Sequence, residues 1–132
     1  MVVDEVMTRE PTTVRSTVSI GEALSILKEV DARHLPVVDG RELVGILSDR
    51  DLLELRNVLD DPAADTSVLE RAVSAYMSTD VASVDPETEL TEAVDIMLER
   101  RVGALPVLEA ETETLVGIVS YVDVLRAARE FL

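Results

Sequence analysis

The chain has 132 residues, 27 of them acidic and 12 basic, and carries a formal net charge of −15 at pH 7. Its hydrophobic content of 47% excludes wholesale disorder, while no apolar run approaches the roughly 20 residues that span a bilayer. A nucleic-acid partner is also excluded, because such binding requires a basic patch that displaces counterions, and the sequence has none.

The first sixty residues predict five elements that alternate between extended and helical patterning. Apolar residues at helical spacing indicate the helices, and short β-rich runs bounded by turn residues indicate the strands. In chain order the elements are an extended piece over Thr12–Val14, a helix over Ser19–Val30, strands over Leu35–Val38 and Leu43–Leu47 joined by a turn at Asp39–Gly40, and a helix that Ser48 caps and that runs from near Asp49 through Leu55.

A polar break over residues 60–65 separates these elements from a second set. The run Ser67-Val68-Leu69-Glu70 has the pattern of a capping box that opens a short helix. The remaining elements are an extended piece over residues 81–84, a helix over Leu90–Arg101, strands around Val107 and over Val116–Val119, and a helix from Tyr121 to about Glu130.

The second set repeats the first. The matching segments are Met7 with Met77, Leu35-Pro36-Val37 with Leu105-Pro106-Val107, and, after a two-residue insertion, Gly45–Asp51 with Gly117–Asp123. Each copy is too small to bury a comfortable core alone, so the two are expected to fold together as one module. The predicted boundaries are residues 1–60 for the first repeat, 61–72 for a linker with a short helix, and 73–132 for the second repeat.

A tandem of such units resembles a stand-alone CBS-domain pair, also called a Bateman module. The most specific segments are Gly45-Ile46-Leu47-Ser48-Asp49-Arg50-Asp51 and Gly117-Ile118-Val119-Ser120-Tyr121-Val122-Asp123. The resemblance covers almost the whole chain and implies an α+β fold, with tandem β-α-β-β-α repeats packed around a pseudo-twofold axis. It further implies two clefts that bind adenosine-containing ligands in many relatives, and dimerisation into a disc of four repeats.

The acidic charge resembles that of proteins from salt-loving archaea. It is spread along both halves of the chain, and Lys28 is the only lysine. Molar salt shortens the Debye length to about 3 Å and so weakens repulsion among such charges. The sequence therefore favours a halophilic archaeal source, with an acidic mesophile protein as the alternative.

The two Ser-x-x-Asp segments fit the recognition of a ribose. An ionised carboxylate can accept hydrogen bonds from both hydroxyls of a vicinal diol, and Asp51 and Asp123 follow a strand at the start of a predicted helix. Ser48 and Ser120 can add a hydroxyl contact, and backbone N–H groups at a helix start can meet a phosphate. The alternative is that each segment is only a helix cap with an acid near the positive end of the helix dipole.

The resemblance also implies that the residues before each apolar-Pro-Val strand line a cleft. In the first repeat these are Arg33 and His34, which offer groups for a phosphate, whereas Gly103 and Ala104 of the second repeat offer only backbone and shape. Phosphate-bearing ligands are therefore expected to favour the first repeat, and more so as His34 protonates near its reference pKa of about 6.5. The alternative is a structural histidine.

Three further positions remain open between binding and structural roles. Thr13 and Ser83 stand where relatives contact the base or the ribose, but small hydroxyls also occur at strand starts for backbone reasons. Arg50 either reaches a phosphate or decorates a helix surface. Met7 and Met77 are predicted to fill the core.

No catalytic or metal-binding pattern is present. The chain has no cysteine, its one histidine has no serine partner at motif spacing, and neither a P-loop nor a metal-binding cluster occurs. The sequence therefore predicts a non-enzymatic regulatory module that senses AMP, ADP, ATP or S-adenosylmethionine and signals by a conformational or dimer change. The alternative is a ligand-free module that dimerises or docks on a partner enzyme or transporter, and an undetected hydrolase is a remote third possibility.

Partners and location follow from the same features. We expect a cytoplasmic homodimer, because the N-terminus lacks a signal peptide, cysteine is absent, and Ile26 and Ile96 lie off the main apolar stripes of their helices. An unidentified protein target is compatible with the sequence, whereas membrane and nucleic acid are not expected as partners.

Overall fold

A computed structural model describes residues 1–30, 32–53, 61, 63 and 66–132. The strands and α-helices given bounds there are β1 (Thr8–Arg9), α1 (Ile20–Val30), β2 (His34–Asp39), β3 (Glu42–Ser48), α2 (Leu90–Arg100), β4 (Ala104–Leu108), β5 (Leu115–Ser120) and α3 (Tyr121–Ala128). Short 3-10 helices cover Val3–Glu5, Ser67–Glu70, Val73–Ala75 and Arg129–Phe131. Mixed helices and strands in this order confirm the predicted α+β class.

The chain divides into two compact units that do not coincide with the sequence repeats. The central unit is Thr12–Asp80, and the terminal unit combines Met1–Pro11 with Val81–Leu132. The first eleven residues open the first repeat, yet they belong to the unit that the second repeat builds. The start of the second repeat, through Asp80, belongs to the central unit in the same way.

The central unit packs α1 against an antiparallel hairpin of β2 and β3. Apolar residues of α1 recur at helical spacing, and Ile20, Leu24 and Leu27 of that stripe are buried. They share one core with alternate residues of the strands, including Leu35 and Leu47. The hairpin reverses at Gly40, whose positive φ of 62° a residue with a side chain rarely adopts.

The terminal unit has a three-stranded antiparallel sheet in the order β1-β5-β4. Strand β1 pairs with β5 in the register Thr8 with Ile118 and Arg9 with Gly117. Helix α2 contributes buried Ala93 and Met97 to the core. The sequence patterns did not predict β1, because a strand of two residues has no periodicity to detect.

Glycine lets the segment that opens each sequence repeat pack closely against a strand of the unit it joins. A Cβ atom on Gly117 would lie 2.7 Å from Met7 Sδ and 2.9 Å from the carbonyl oxygen of Thr8. The same positions of the central unit repeat this contact, with Met77 Sδ 2.7 Å from a Cβ on Gly45. Met7 and Met77 both pack with the core of their units, which confirms the predicted role.

Three sequence predictions require correction or lie outside the described residues. The capping box at Ser67 is wrong: a 3-10 helix forms there, but Thr66 is its N-cap and no side chain caps it. Residues 49–52 form a turn and Leu53 is helical, while residues 54 and 55 of the helix predicted through Leu55 lie outside the described residues. Ile26 and Ile96 do not form an exposed strip, since both are half-buried against the cores of their units.

Candidate functional site

In the central unit, the end of the hairpin gathers the predicted polar residues. Ser48 ends β3 and pairs in register with His34, which begins β2. The Asp49 backbone N–H donates to the Arg33 carbonyl at 2.7 Å, so the chain ends on both sides of the hairpin stay together. We call this group, with Asp51, the central corner.

The central corner is held by reciprocal hydrogen bonds. The Ser48 N–H donates to Asp51 Oδ2 at 2.9 Å, and the Asp51 N–H donates to Ser48 Oγ at 3.1 Å. This is the geometry of a capping box, in which each side chain satisfies a backbone donor of the other residue. The segment therefore forms a cap, and the cap uses only one oxygen of Asp51.

Strand alternation puts three of the predicted residues on one face of the hairpin. Leu35 and Leu47 are buried, so His34 and Ser48, their neighbours in sequence, lie on the opposite face. Val14 forms a parallel bridge with Val37 and is buried, which places the exposed Thr13 on the His34 face, level with Pro36 of β2.

Acidic and basic side chains both lie near the half-buried imidazole of His34. Burial lowers the pKa of His34 below 6.5, and nearby Arg33 lowers that pKa further, while Asp49 and Asp51 oppose the shift. The expectation that His34 protonates near its reference pKa of about 6.5 is therefore corrected: burial shifts that pKa downward and favours the neutral imidazole. Arg33 and Arg50 are exposed, so the cationic groups of this corner face solvent.

The terminal unit builds the equivalent corner from Ser120 and Asp123, with Ala104 paired to Ser120. The Tyr121 N–H donates to the Gly103 carbonyl at 3.0 Å, which matches the link between Asp49 and Arg33. Asp123 Oδ2 accepts from the Ser120 N–H at 2.9 Å and from Ser120 Oγ at 3.1 Å. The Asp123 N–H donates to Ser120 Oγ at 3.3 Å, which caps α3. We call this group the terminal corner.

Two residues that the sequence analysis missed lie at the other oxygen of Asp123. Thr8 Oγ1 is 3.4 Å from Asp123 Oδ1, and Arg126 Nη1 is 3.6 Å from the same atom. Asp123 is buried, with 7% of its surface exposed. Arg126 was detectable as a residue three positions along the same helix, where side chains meet.

Ser83 is exposed and precedes Val84, which bridges Val107, so it repeats the placement of Thr13.

Searches for other kinds of site give negative results over the described residues. Within the ranges that the structure describes, no group of three or more His, Cys, Asp and Glu residues is placed to hold a metal ion. The described helices also include none that is long and apolar enough to cross a membrane.

Known sequences and structures match the chain over nearly its whole length. The family model of the CBS domain matches residues 3–57 and 73–130. An uncharacterized 17.7 kDa protein of Acidianus ambivalens is 34% identical over 126 residues, which are 95% of this chain and 71% of that protein.

Two solved structures are similar to the chain throughout. The crystal structure of CBSX2 in complex with AMP is 32% identical, covers 98% of this chain and 97% of its own, and has a TM-score of 0.82. The CBS domain pair of protein MJ0100, in complex with 5′-methylthioadenosine and S-adenosyl-L-methionine, has a TM-score of 0.85 with 23% identity and covers 100% of this chain and 98% of its own. At that identity the second similarity concerns the fold alone.

Proposed function

Because the chain belongs to the CBS domain family, with the family model matching both repeats, we propose that it is a regulatory module that binds an adenosine-containing ligand. Binding changes its conformation or its association with a second copy. The similarity to CBSX2, crystallised with AMP, supports this ligand class over almost the full chain. The proposal includes no catalytic step.

The observation that carries the proposal is the geometry of the central corner. The capping bonds of Asp51 use Oδ2, and within the described residues no group donates a hydrogen bond to Oδ1. A half-buried carboxylate with an open oxygen can accept the hydroxyls of a ribose, and such charge-assisted bonds are stronger than neutral ones. Ser48, His34 and Thr13 lie on the same face of the hairpin and can supply further polar contacts.

The charges of the corner favour ligands with few phosphates. Burial lowers the pKa of His34 and disfavours its charged form, so Arg33 and Arg50 are the cationic side chains that the sequence places beside it. A triphosphate would add more negative charge than these groups balance, on a chain whose net charge is already −15. We therefore rank AMP and S-adenosylmethionine ahead of ADP and ATP.

A homodimer in the cytoplasm, signalling to a protein target, completes the proposal. Exposed apolar side chains on α2 and α3 support self-association, and they include Leu98, Val122 and Leu125. Light scattering at micromolar concentration should give the mass of two chains.

The test measures binding at high salt. Calorimetry and thermal unfolding in about 2 M KCl are run with AMP, ADP, ATP and S-adenosylmethionine, because salt screens the repulsion of the acidic surface. Loss of a charge-assisted hydrogen bond should make Asp51→Ala bind about 10- to 100-fold more weakly than wild type. Glu29→Ala, which removes an exposed acid at the end of α1, is the matched control and should bind like wild type.

Two results would contradict the proposal. The ribose assignment fails if Asp51→Ala keeps wild-type affinity. If no ligand of the panel binds or raises the midpoint of thermal unfolding, the sensing function is rejected and a ligand-free docking module is the better account.

A further inference from the structure

We infer that Thr8 and Arg126 close the terminal corner, so that each chain takes one adenosine ligand, at Asp51, rather than two. The inference rests on the proposed function and determines which of the two corners carries it. Both corners have the same Ser-x-x-Asp segment, so the difference must come from what surrounds each carboxylate.

Every acceptor position of Asp123 faces a group of the terminal unit. Oδ2 takes the Ser120 N–H at 2.9 Å and the Ser120 hydroxyl at 3.1 Å. Oδ1 faces the Thr8 hydroxyl at 3.4 Å and the Arg126 guanidinium at 3.6 Å. These last two distances are long for hydrogen bonds, so the two groups act mainly by filling the space and neutralising the charge in front of Oδ1.

The backbone fixes Thr8 at this position. It lies in β1, opposite Ile118 of β5, and the buried Met7 beside it packs over Gly117. Thr8 therefore cannot leave the carboxylate unless the docked N-terminal segment shifts. Arg126 is free to swing, since 66% of its side chain is exposed.

Over the residues that the structure describes, the central corner shows neither feature. Ser78 stands at the position of Thr8 and pairs with Ile46 through backbone hydrogen bonds at 2.9 and 3.0 Å. Both residues are exposed, but the side chain of Ser78 is one methyl group smaller. The sequence has Glu54 where the terminal unit has Arg126, so the matching residue is an acid. Asp51 is only half-buried, whereas Asp123 is buried, with 7% of its surface exposed.

A ribose at Asp123 would have to displace both groups. At Asp123, the two hydroxyls of the diol would only replace the Thr8 hydroxyl and the Arg126 cation, so the binding free energy gained would be small. At Asp51 the diol gains the full charge-assisted hydrogen bonds. We expect affinity at the terminal corner to be at least about 10- to 100-fold weaker than at the central corner.

Calorimetric stoichiometry with AMP as the probe tests the inference. Wild type should bind one AMP per chain, and Asp51→Ala should bind none in the same concentration range. Thr8→Ala with Arg126→Ala, which removes the hydroxyl, the methyl group and the cation in front of Asp123 Oδ1, should bind two. Ser78→Ala with Arg129→Ala makes matched changes at the central position and one turn further along the chain, and it should bind one.

Arg126→Ala is also measured alone, because its exposed side chain does not contribute to the core and the variant keeps the fold. It should add a second binding event weaker than that of the double variant. Two AMP per wild-type chain, with one remaining in Asp51→Ala, would overturn the closure but leave the proposed function intact. One AMP per chain in both opened variants would overturn the roles of Thr8 and Arg126. Absence of AMP binding in every variant would reject the proposed function and the inference together.

Discussion

In the central unit the corner aspartate is half-buried and has one oxygen facing no described donor, whereas in the terminal unit the corresponding aspartate is buried and both oxygens are occupied. The local segment is the same, and so is the capping geometry. The difference arises from a segment distant in sequence, since Thr8 reaches Asp123 across 115 positions. A duplicated motif thus defines where a site can form, and neighbours from elsewhere in the chain determine whether it is open.

The largest effect is expected where the two units are most alike. Gly117→Ala and Gly45→Ala each place a Cβ within 2.9 Å of a carbonyl oxygen that belongs to a backbone-paired residue, Thr8 or Ser78. Because the methionine sulfur can move but the paired backbone cannot, each variant should lose about 1 to 3 kcal/mol of unfolding free energy. Urea unfolding measures this loss.

These two glycine variants also sharpen the comparison of the corners. Displacing Thr8 opens the terminal corner, whereas displacing Ser78 frees nothing at Asp51, so AMP stoichiometry should rise in Gly117→Ala alone. Unfolding free energies within about 0.5 kcal/mol of wild type would show that the segments are not held as tightly as the distances indicate.

A smaller effect separates the two aspartates by their structural roles. Asp123→Ala removes the acceptor of the Ser120 N–H in a buried setting and leaves Arg126 unpaired, so it should cost about 1 to 2 kcal/mol of stability. Asp51→Ala removes the same cap where water can replace it, and should cost less than about 1 kcal/mol. Chemical unfolding of the apo variants checks the order, and a larger loss for Asp51→Ala would contradict the burial difference.

The sequence was informative where structure is local and repeated. The helices α1 and α2 were predicted within a residue of their ends, because apolar spacing and the flanking polar residues are local signals. Ser48 and Asp51 could be placed at one corner because the motif occurs twice. Thr8 could not, because its role depends on β1 docking against β5, and no periodicity in the chain encodes the exchange of that segment.

Burial was equally hidden from the sequence. The contrast between His34 and Ala104 was visible as residue types, but the direction of the His34 pKa shift depends on desolvation, which the fold creates. The same holds for Asp123, whose acidic side chain is an unusual one to bury and became buried only with its partners around it.

The smallest effect concerns His34, the only histidine of the chain, whose counterpart at Ala104 cannot titrate. Burial lowers its pKa in the folded state, so the unfolded state binds the proton more readily. Stability should therefore be fully present above about pH 6.5 and fall as the pH drops from there toward the lowered pKa. Thermal unfolding between about pH 7.5 and 5.5 measures this slope, and His34→Gln, which stays neutral, should reduce it.

The difference between wild type and His34→Gln isolates the histidine, because both chains carry the same carboxylates. If His34→Gln steepened the loss of stability toward low pH, the imidazolium would be favoured in the folded state, and the attraction of Asp49 and Asp51 would outweigh burial at the central corner. Asp51→Asn separates these contributions further: removing that attraction should lower the His34 pKa still more, so the His34-dependent loss of stability should still begin near about pH 6.5 but extend to lower pH and become larger. At the central corner, burial and the two acids thus act in opposite directions on the pKa of His34. The terminal corner has Ala104 at this position, which does not titrate.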